Sequence, residues 1–327
     1  MASDHYINIE VFGRTDVGTV RDHNEDNFLV ANLSTGEKSL KPDIRNHVLG
    51  SMGSLFLVCD GMGGAAAGEI ASSLAVEAIY KNMISYHDSP NRSNLAANLV
   101  DSIRHANDVI LQSARENRER TGMGTTCTAA SLIDDILVLA QVGDSRGYII
   151  RKDRMYQVTK DQTLLNKLLE IGQLTPETAG QFEHNHVILQ ALGVKEKVDP
   201  VVSAVELAED DCLLLCSDGL VDALTPEEIL STVLSSESTD PLTICKNLTD
   251  TACKAGANDN VTVIFVRFTG NSFGVLDKNM DVPYIEVSRN HLSTHLLMVR
   301  PPIEDSPDTT QVFGSFNLIN ANTNPEK

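Results

Sequence analysis

Six carboxylates in this sequence stand where short apolar runs begin or end. Asp60 closes the run Ser54–Cys59 and is followed by Gly61-Met62-Gly63-Gly64. Asp144 follows the run at 137–142, within Gly143-Asp144-Ser145-Arg146. Asp218 follows Cys212–Cys216, within Ser217-Asp218-Gly219. Asp259 lies in Asn258-Asp259-Asn260 just ahead of the run at 261–268, and Glu25-Asp26 lies just ahead of the run at 27–31. Taken singly, each is an ordinary turn, because Asp and Gly are poor strand residues. Brought together, they would repel one another and need neutralising. Hard carboxylate oxygens without His or Cys select Mg2+ or Mn2+ over Zn2+. One carboxylate can bridge two such ions, and a pair about 3.5–4 Å apart activates water for in-line attack on phosphorus. Arg21 precedes Glu25 by four residues and offers a fork suited to a phosphate dianion. On its own it reads as a surface arginine.

The elements that must position these groups are mainly strands. Residues 5–12 alternate (Tyr6, Ile7, Ile9, Val11), as a half-buried strand does. Segments 125–133 and 136–142 flank Asp134-Asp135, and 147–151 and 155–159 flank Lys152-Asp153-Arg154, so each pair predicts a hairpin. Segments 212–216 and 261–268 complete the strand set. Helical spacing appears at Ile70, Leu74, Ala78 and Ile79, and again at Leu95, Leu99, Ile103, Ala106 and Ile110. Thr225-Pro226-Glu227-Glu228 has the form of a capping box with Pro at the first helical position, and 240–255 predicts a further helix. Consecutive hairpins with helices grouped between them favour antiparallel sheets covered by helices over a parallel array.

Composition narrows the partners. The chain has 327 residues, 42% of them apolar, enough for one large domain or two. With 45 Asp and Glu against 26 Lys and Arg, the net charge is −19. That argues against nucleic acid and against an anionic membrane surface, both of which need clustered cations. A phosphorylated substrate would need bound divalent cations to offset the repulsion. The six Cys (59, 127, 212, 216, 245 and 253) contain no CxxC pair, so reduced, buried thiols of a cytosolic protein are expected. The first ten residues lack signal-peptide character, and no apolar run approaches membrane length, so the expected location is cytoplasmic. Composition shifts near residue 270. Residues 271–327 hold 5 of the 11 Pro and end in a stretch of Asn, Thr, Ser, Asp and Pro. We therefore expect a catalytic domain over 1–270 and a C-terminal extension over 271–327, partly disordered toward its end.

The order of the motifs carries a resemblance. Thr15-Asp16-Val17-Gly18, Arg21 and Asn24-Glu25-Asp26 resemble the opening of the metal-dependent protein phosphatase family (PPM, the type 2C Ser/Thr phosphatases). Val58-Cys59-Asp60-Gly61-Met62-Gly63-Gly64, Gly122-Met123-Gly124-Thr125-Thr126 and Val142-Gly143-Asp144-Ser145-Arg146 resemble its next motifs, in the bacterial-type form. Ser217-Asp218-Gly219-Leu220 and Asn258-Asp259-Asn260-Val261-Thr262 complete the series, which spans residues 8–268. Each motif is weak alone; all of them in order are specific.

The resemblance implies an α+β fold, two antiparallel β-sheets packed as a central sandwich flanked by helices in four αββα layers. It also implies roles. Asp60 would bridge two Mn2+ or Mg2+ ions and the Gly61 carbonyl would join the second. Asp218 and Asp259 would hold the first, and Glu25 and Asp26 would act directly or through coordinated water. Asp144 with Asp218 would hold a weaker third ion. Arg21 would bind the substrate phosphate. The implied reaction is direct hydrolysis of phosphoserine or phosphothreonine by a metal-bound hydroxide, with no phosphoenzyme. The implied partners are Ser/Thr-phosphorylated proteins and the kinase that makes them.

Two departures matter. Met62 stands where animal-type members carry a His proposed as general acid, and Met cannot donate a proton. The flap, residues 160–193, opens with Asp161-Gln162-Thr163 instead of Asp-His-Ser, which leaves substrate preference open. Two further readings remain beside the enzyme: a pseudophosphatase that binds phosphoproteins or a kinase, and a phosphatase of small phosphoesters. The presence of Asp60, Asp218, Asp259 and Arg21 favours an active enzyme. In the tail, Pro307-Asp308-Thr309-Thr310-Gln311-Val312-Phe313 resembles acidic Thr-Thr segments that kinases modify and forkhead-associated domains bind, against the plainer reading of an inert polar tail.

Overall fold

The computed structural model describes residues 5–39, 46–63, 67–86, 91–92, 94–180, 182–184, 186–235, 240–274, 281–282, 284–287 and 318–320. The chain opens with β1 (Ile7–Asp16), β2 (Asn27–Asn32), β3 (Glu37–Ser39), β4 (Asn46–Val48), β5 (Ser54–Cys59) and β6 (Gly61–Met62). Two helices follow, α1 (Ala67–Ser85) and α2 (Leu95–Glu116). Then come β7 (Gly124–Thr125), β8 (Cys127–Ile133), β9 (Ile136–Val142), β10 (Arg146–Arg151) and β11 (Arg154–Gln157). A long connection with α3 (Leu164–Glu170) and α4 (Pro176–Ala179) leads to β12 (Val201–Glu206) and β13 (Cys212–Cys216). Helices α5 (Asp218–Ala223), α6 (Pro226–Leu234) and α7 (Pro241–Lys254) precede β14 (Val261–Gly270), and β15 (Tyr284–Val287) and β16 (Leu318–Asn320) end the described chain.

Among the described residues the long strands form two seven-stranded sheets. The first runs β16-β11-β10-β13-β14-β1-β4 and the second β15-β12-β9-β8-β5-β2-β3. Every pairing in both is antiparallel. Burial explains why the central strands read as unbroken apolar runs. On β5, Leu55, Leu57 and Cys59 face α1 and α2, while Phe56 and Val58 face the other sheet. Both faces are covered, so alternation is lost. Phe56 meets Phe268 of β14 edge to face, centroids 6.5 Å apart, a geometry that adds about 0.5–1.5 kcal/mol to burial. A third apolar layer packs the outer face of the first sheet on α5, α6 and α7. The result is the expected four-layer αββα sandwich.

Local signals mostly survive. Thr225 and Glu228 form the capping box reciprocally at the start of α6, with Pro226 in the first turn. The expected hairpins turn at Asp134 and Lys152, both at positive φ. The six cysteines are free thiols, and among the described residues no helix is long and apolar enough to cross a membrane. Strand β12 and helices α3 and α5 were not foreseen; Asp218 opens a helix as well as following a strand. Tyr284–Val287, expected only to pack on something, forms an edge strand on β12. Thr309, Thr310 and the apolar segment at 296–299 lie outside the described residues.

Register decides where the acidic residues meet. Asp16 of β1 pairs with Val261 of β14, and Cys216 of β13 pairs with Val263 and Arg146. In the second sheet, Asn27 pairs with Cys59, and Cys127 with Val142. Both sheets therefore present these loops at one end of the sandwich, 17–26, 60, 143–145, 217–218 and 258–260.

Candidate metal centre

The main chain of Asp60 is fixed before its carboxylate does anything. Its N–H donates to Thr126 Oγ1 (2.9 Å), and its carbonyl accepts from Thr126 N–H (2.8 Å) and Thr125 Oγ1 (2.8 Å). Gly61 then passes between two other segments. A Cβ there would stand 2.3 Å from the Gly68 carbonyl oxygen and 2.5 Å from that of Glu25. Gly68, near the start of α1, would place a Cβ 2.7 Å from the Glu25 carboxyl carbon. This close approach lets the Glu25 carboxylate accept from the Gly68 N–H at the helix N-terminus. Burial pushes the Glu25 carboxyl up and the Arg21 charge pulls it back.

Asp26 is buried, and Ser217 Oγ (2.7 Å) and Thr262 Oγ1 (2.6 Å) both donate to its Oδ2. Asn260 ties the loops together. Its Oδ1 accepts from Glu25 N–H (2.8 Å), and its Nδ2 donates to the carbonyls of Val17 (3.0 Å) and His23 (2.9 Å). The loop that carries Arg21 is thereby pinned to the residue after Asp259. The Arg21 guanidinium donates to Asp259 Oδ2 at 2.6 Å.

The carboxylates are close enough to perturb one another. Asp60 and Asp218 lie close enough that each perturbs the other, and the proton-bearing form of Asp60 is favoured beside Asp218. Burial, then the Asp26 and Asp218 charges, holds the Asp60 carboxyl well above the usual range. Burial and Asp218 push Asp144 up to about 7. Burial raises Asp26 as well, against the pull of its two hydroxyl donors. Asp218 is raised by burial too.

The flap closes one side. Asp161 takes the Arg146 guanidinium (Nε 2.8 Å, Nη2 2.7 Å). Gln162 clamps Gly143 from both directions, its side chain accepting from the Gly143 N–H (3.0 Å) and its own N–H donating to the Gly143 carbonyl (2.9 Å). Thr163 caps α3. The unusual Asp-Gln-Thr opening thus holds the turn that carries Asp144. His186 of the flap lies 3.6 Å from Asp222 on α5, the helix that Asp218 opens.

The expected residues therefore come together: Glu25, Asp26, Asp60, Gly61, Asp144, Asp218 and Asp259 ring one end of the sandwich, with the exposed Arg21 on the rim. Among the described residues no three His, Cys, Asp or Glu side chains are already arranged around one point as a metal would require. The carboxylates pair instead with each other, with Arg21 and with hydroxyls. Oxygens remain over, however. Oδ1 of Asp26, of Asp144 and of Asp218 are all buried without a hydrogen-bond partner. Buried unpartnered carboxylate oxygens are costly, and an all-oxygen donor set is the kind that Mg2+ and Mn2+ take. The residues fit such ions. Sequence reasoning assigned no role to Ser217, Asn260, Thr262 and Thr126. Each sits inside a quoted motif, and a hydroxyl or amide next to an acidic residue was the available signal.

Fold and site define a class, and the chain belongs to the protein phosphatase 2C family. The family profile, protein phosphatase 2C, matches residues 41–251, which takes in Asp60, Asp144 and Asp218 but stops short of Arg21, Glu25, Asp26 and Asp259. Serine/threonine phosphatase stp of Listeria innocua is 34% identical over 254 residues, 78% of this chain and 94% of its own. Protein phosphatase PhpP of Streptococcus pneumoniae is 33% identical over 260 residues, 79% of this chain and 97% of its own. Among solved structures, the catalytic domain of the serine/threonine protein phosphatase PstP, in complex with two manganese ions, is similar with a TM-score of 0.65 and 32% identity, over 80% of this chain and 99% of that one.

Proposed function

We propose that the chain is a metal-dependent protein-serine/threonine phosphatase that hydrolyses phosphoserine and phosphothreonine in proteins. One observation carries the reading: buried, partly unpartnered carboxylates from both sheets converge beside an exposed arginine. The names of the Listeria and Streptococcus relatives and the manganese complex of PstP support it.

Asp60, Asp218 and Asp259, with the Gly61 carbonyl, would hold two Mn2+ or Mg2+ ions, and Glu25 and Asp26 would support them directly or through water. Asp144 with Asp218 would hold a weaker third. When bound, such ions neutralise phosphate charge and lower the pKa of water. The chain's own residues do the rest. Arg21 grips phosphate oxygens through its fork. Asp259 keeps that guanidinium at the rim. Ser217 and Thr262 favour the ionised form of Asp26 against the burial that raises it. Met62 offers no proton, so the leaving alkoxide takes one from water or from another group. Residues 1–270 are read as the catalytic domain and 271–327 as an extension. The substrates are read as products of a Ser/Thr kinase in the cytoplasm, and Thr309 or Thr310 as a phosphosite for a forkhead-associated partner.

The test is turnover of a phosphothreonine peptide. Activity should need Mn2+ or Mg2+ and vanish on chelation; turnover in chelator would remove the two-metal reading.

A further inference from the structure

The connection between β11 and β12 carries the flap and crosses from the first sheet to the second. After β14 the chain makes the same crossing again. Asp281 accepts from Arg154 Nη1 (3.0 Å) and Tyr156 Oη (3.1 Å), both on β11. Val282 is wholly buried in the layer between the sheets. β15 then pairs with β12, from Tyr284 opposite Val205 to Val287 opposite Val202. This register runs β15 toward the end of β12 where the flap re-enters the sheet. There Glu286 lines a cleft of about 240 Å³ together with Lys160, Asp161, Asn166 and Glu170, at the base of the flap. Lys160 is ion-paired with Glu170 of α3. β16 covers the other side of β11. Both strands that bear the flap thus take their outer partner from the segment beyond β14, and would otherwise be open sheet edges. The Listeria relative is matched over 94% of its length but 78% of this chain, so this chain carries length that its relative lacks.

We propose that Asp281, Val282 and β15 form a strap that positions the flap, with Asp281 anchoring one flap-bearing strand, β15 the other, and Glu286 facing Lys160 at the flap's root. The strap works by fixing the separation of the two strands from which the flap springs. Its effect is on the surface offered to a phosphoprotein, and not on the carboxylate cluster. In that respect it rests on the phosphatase reading above.

The experiment uses the full chain. Glu286→Lys and, separately, Asp281→Ala are compared with wild type by hydrogen exchange of the flap amides, 164–192. The same proteins are assayed for KM and kcat on a phosphothreonine peptide and on a small aryl phosphate. Loss of a partly exposed charge pair should speed flap exchange by about two- to fivefold. KM for the peptide should rise, and kcat on the aryl phosphate should hold. Wild-type flap exchange and peptide KM in both folded variants would overturn the strap. If wild type turns over neither substrate, the phosphatase reading fails, while the exchange measurement still judges the strap. Should Glu286→Lys fail to fold, Asp281→Ala and the milder Glu286→Gln decide.

Discussion

The guanidinium of Arg21 and the carboxylate of Asp259, 238 residues apart, meet at 2.6 Å on the rim of the site. Their side chains are 53% and 37% exposed, so solvent screens the pair and it adds little to stability. Its consequence is one of aim. Asp259 raises the Arg21 pKa through a hydrogen bond and its charge, and Glu25 and Asp60 reinforce it from across the site. The arginine is thus held, fully charged, over the carboxylates that would hold the ions.

Arg21→Ala should therefore leave the melting temperature unchanged and damage catalysis. A hydrogen bond to a charged group contributes about 1.5–3 kcal/mol, so kcat/KM should fall roughly 10- to 150-fold. Arg21→Lys should restore only part of that, since an ammonium has no planar fork. Steady-state kinetics beside melting curves decide it. A lowered melting temperature with normal kinetics would make Arg21 structural.

Asp60→Asn is expected to keep the fold, because the hydrogen bonds of Asp60 to Thr125 and Thr126 involve only its main chain. Activity should fall by at least ~10²-fold, in line with the several kcal/mol a bound cation supplies. The variant should also melt higher than wild type in chelator, having shed one member of a repelling set. Stabilisation by added Mn2+, read as a shift in melting temperature, should shrink or disappear.

Much of this candidate site was legible because six acidic residues beside strand ends, each an ordinary turn alone, recur together and in an order that resembles one family. Asp60, Asp218 and Asp259 could be named from their places beside Gly or Asn, and register brought them together. Their support was harder to see. Ser217, Thr262 and Asn260 act across 191 to 243 residues of sequence, and no local pattern encodes such distances. Gln162, part of a departure in the flap that left substrate preference open, is the clamp on Gly143. β12 escaped notice because a covered edge-side strand of six residues has no alternation to betray it.

Burial and the Asp218 charge raise Asp144 from 3.8 to about 7. The unfolded chain gives up this proton near its ordinary value, while the folded chain keeps it until about neutrality. The stabilising contribution is thus present below about pH 4 and lost as pH rises through about 7. In chelator, the gain in melting temperature from Asp144→Asn should grow between about pH 5 and pH 8. Mn2+ must displace the same protons, so its stabilising effect should also be larger at the higher pH. Melting curves across that range, with and without Mn2+, give both slopes.

Thr262→Val removes one of the two hydroxyl donors that hold down the Asp26 pKa. With less stabilisation of the anion, Asp26 should keep its proton to higher pH. The acidic limb of the kcat/KM profile should move upward, and the Mn2+ concentration for half-activity should rise about 10- to 100-fold, the usual cost of losing an outer-shell partner. Ser217→Ala should act in the same direction, and the pair should be non-additive because both bond the same oxygen. An unmoved pH profile in both variants would show that Asp26 takes no part in ion binding.

Gly219 tests whether the two ligand loops are one rigid unit. A Cβ at this position would stand 2.1 Å from the Asn260 carbonyl oxygen, a main-chain atom that cannot rotate away. Gly219→Ala must therefore move either the start of α5, which carries Asp218, or the 258–260 loop, which carries Asp259. Overpacking of this kind costs about 1–3 kcal/mol, so the melting temperature should fall. Mn2+ affinity should fall further than the loss of stability explains, since Asp218 and Asp259 would no longer converge. Gly180→Ala is the control: its φ of −65° suits any residue, and no atom lies within 4 Å of its Cβ position. Calorimetric titration of Mn2+ into both variants separates the outcomes. Equal Mn2+ affinity in the two would mean that Asp218 and Asp259 do not share an ion.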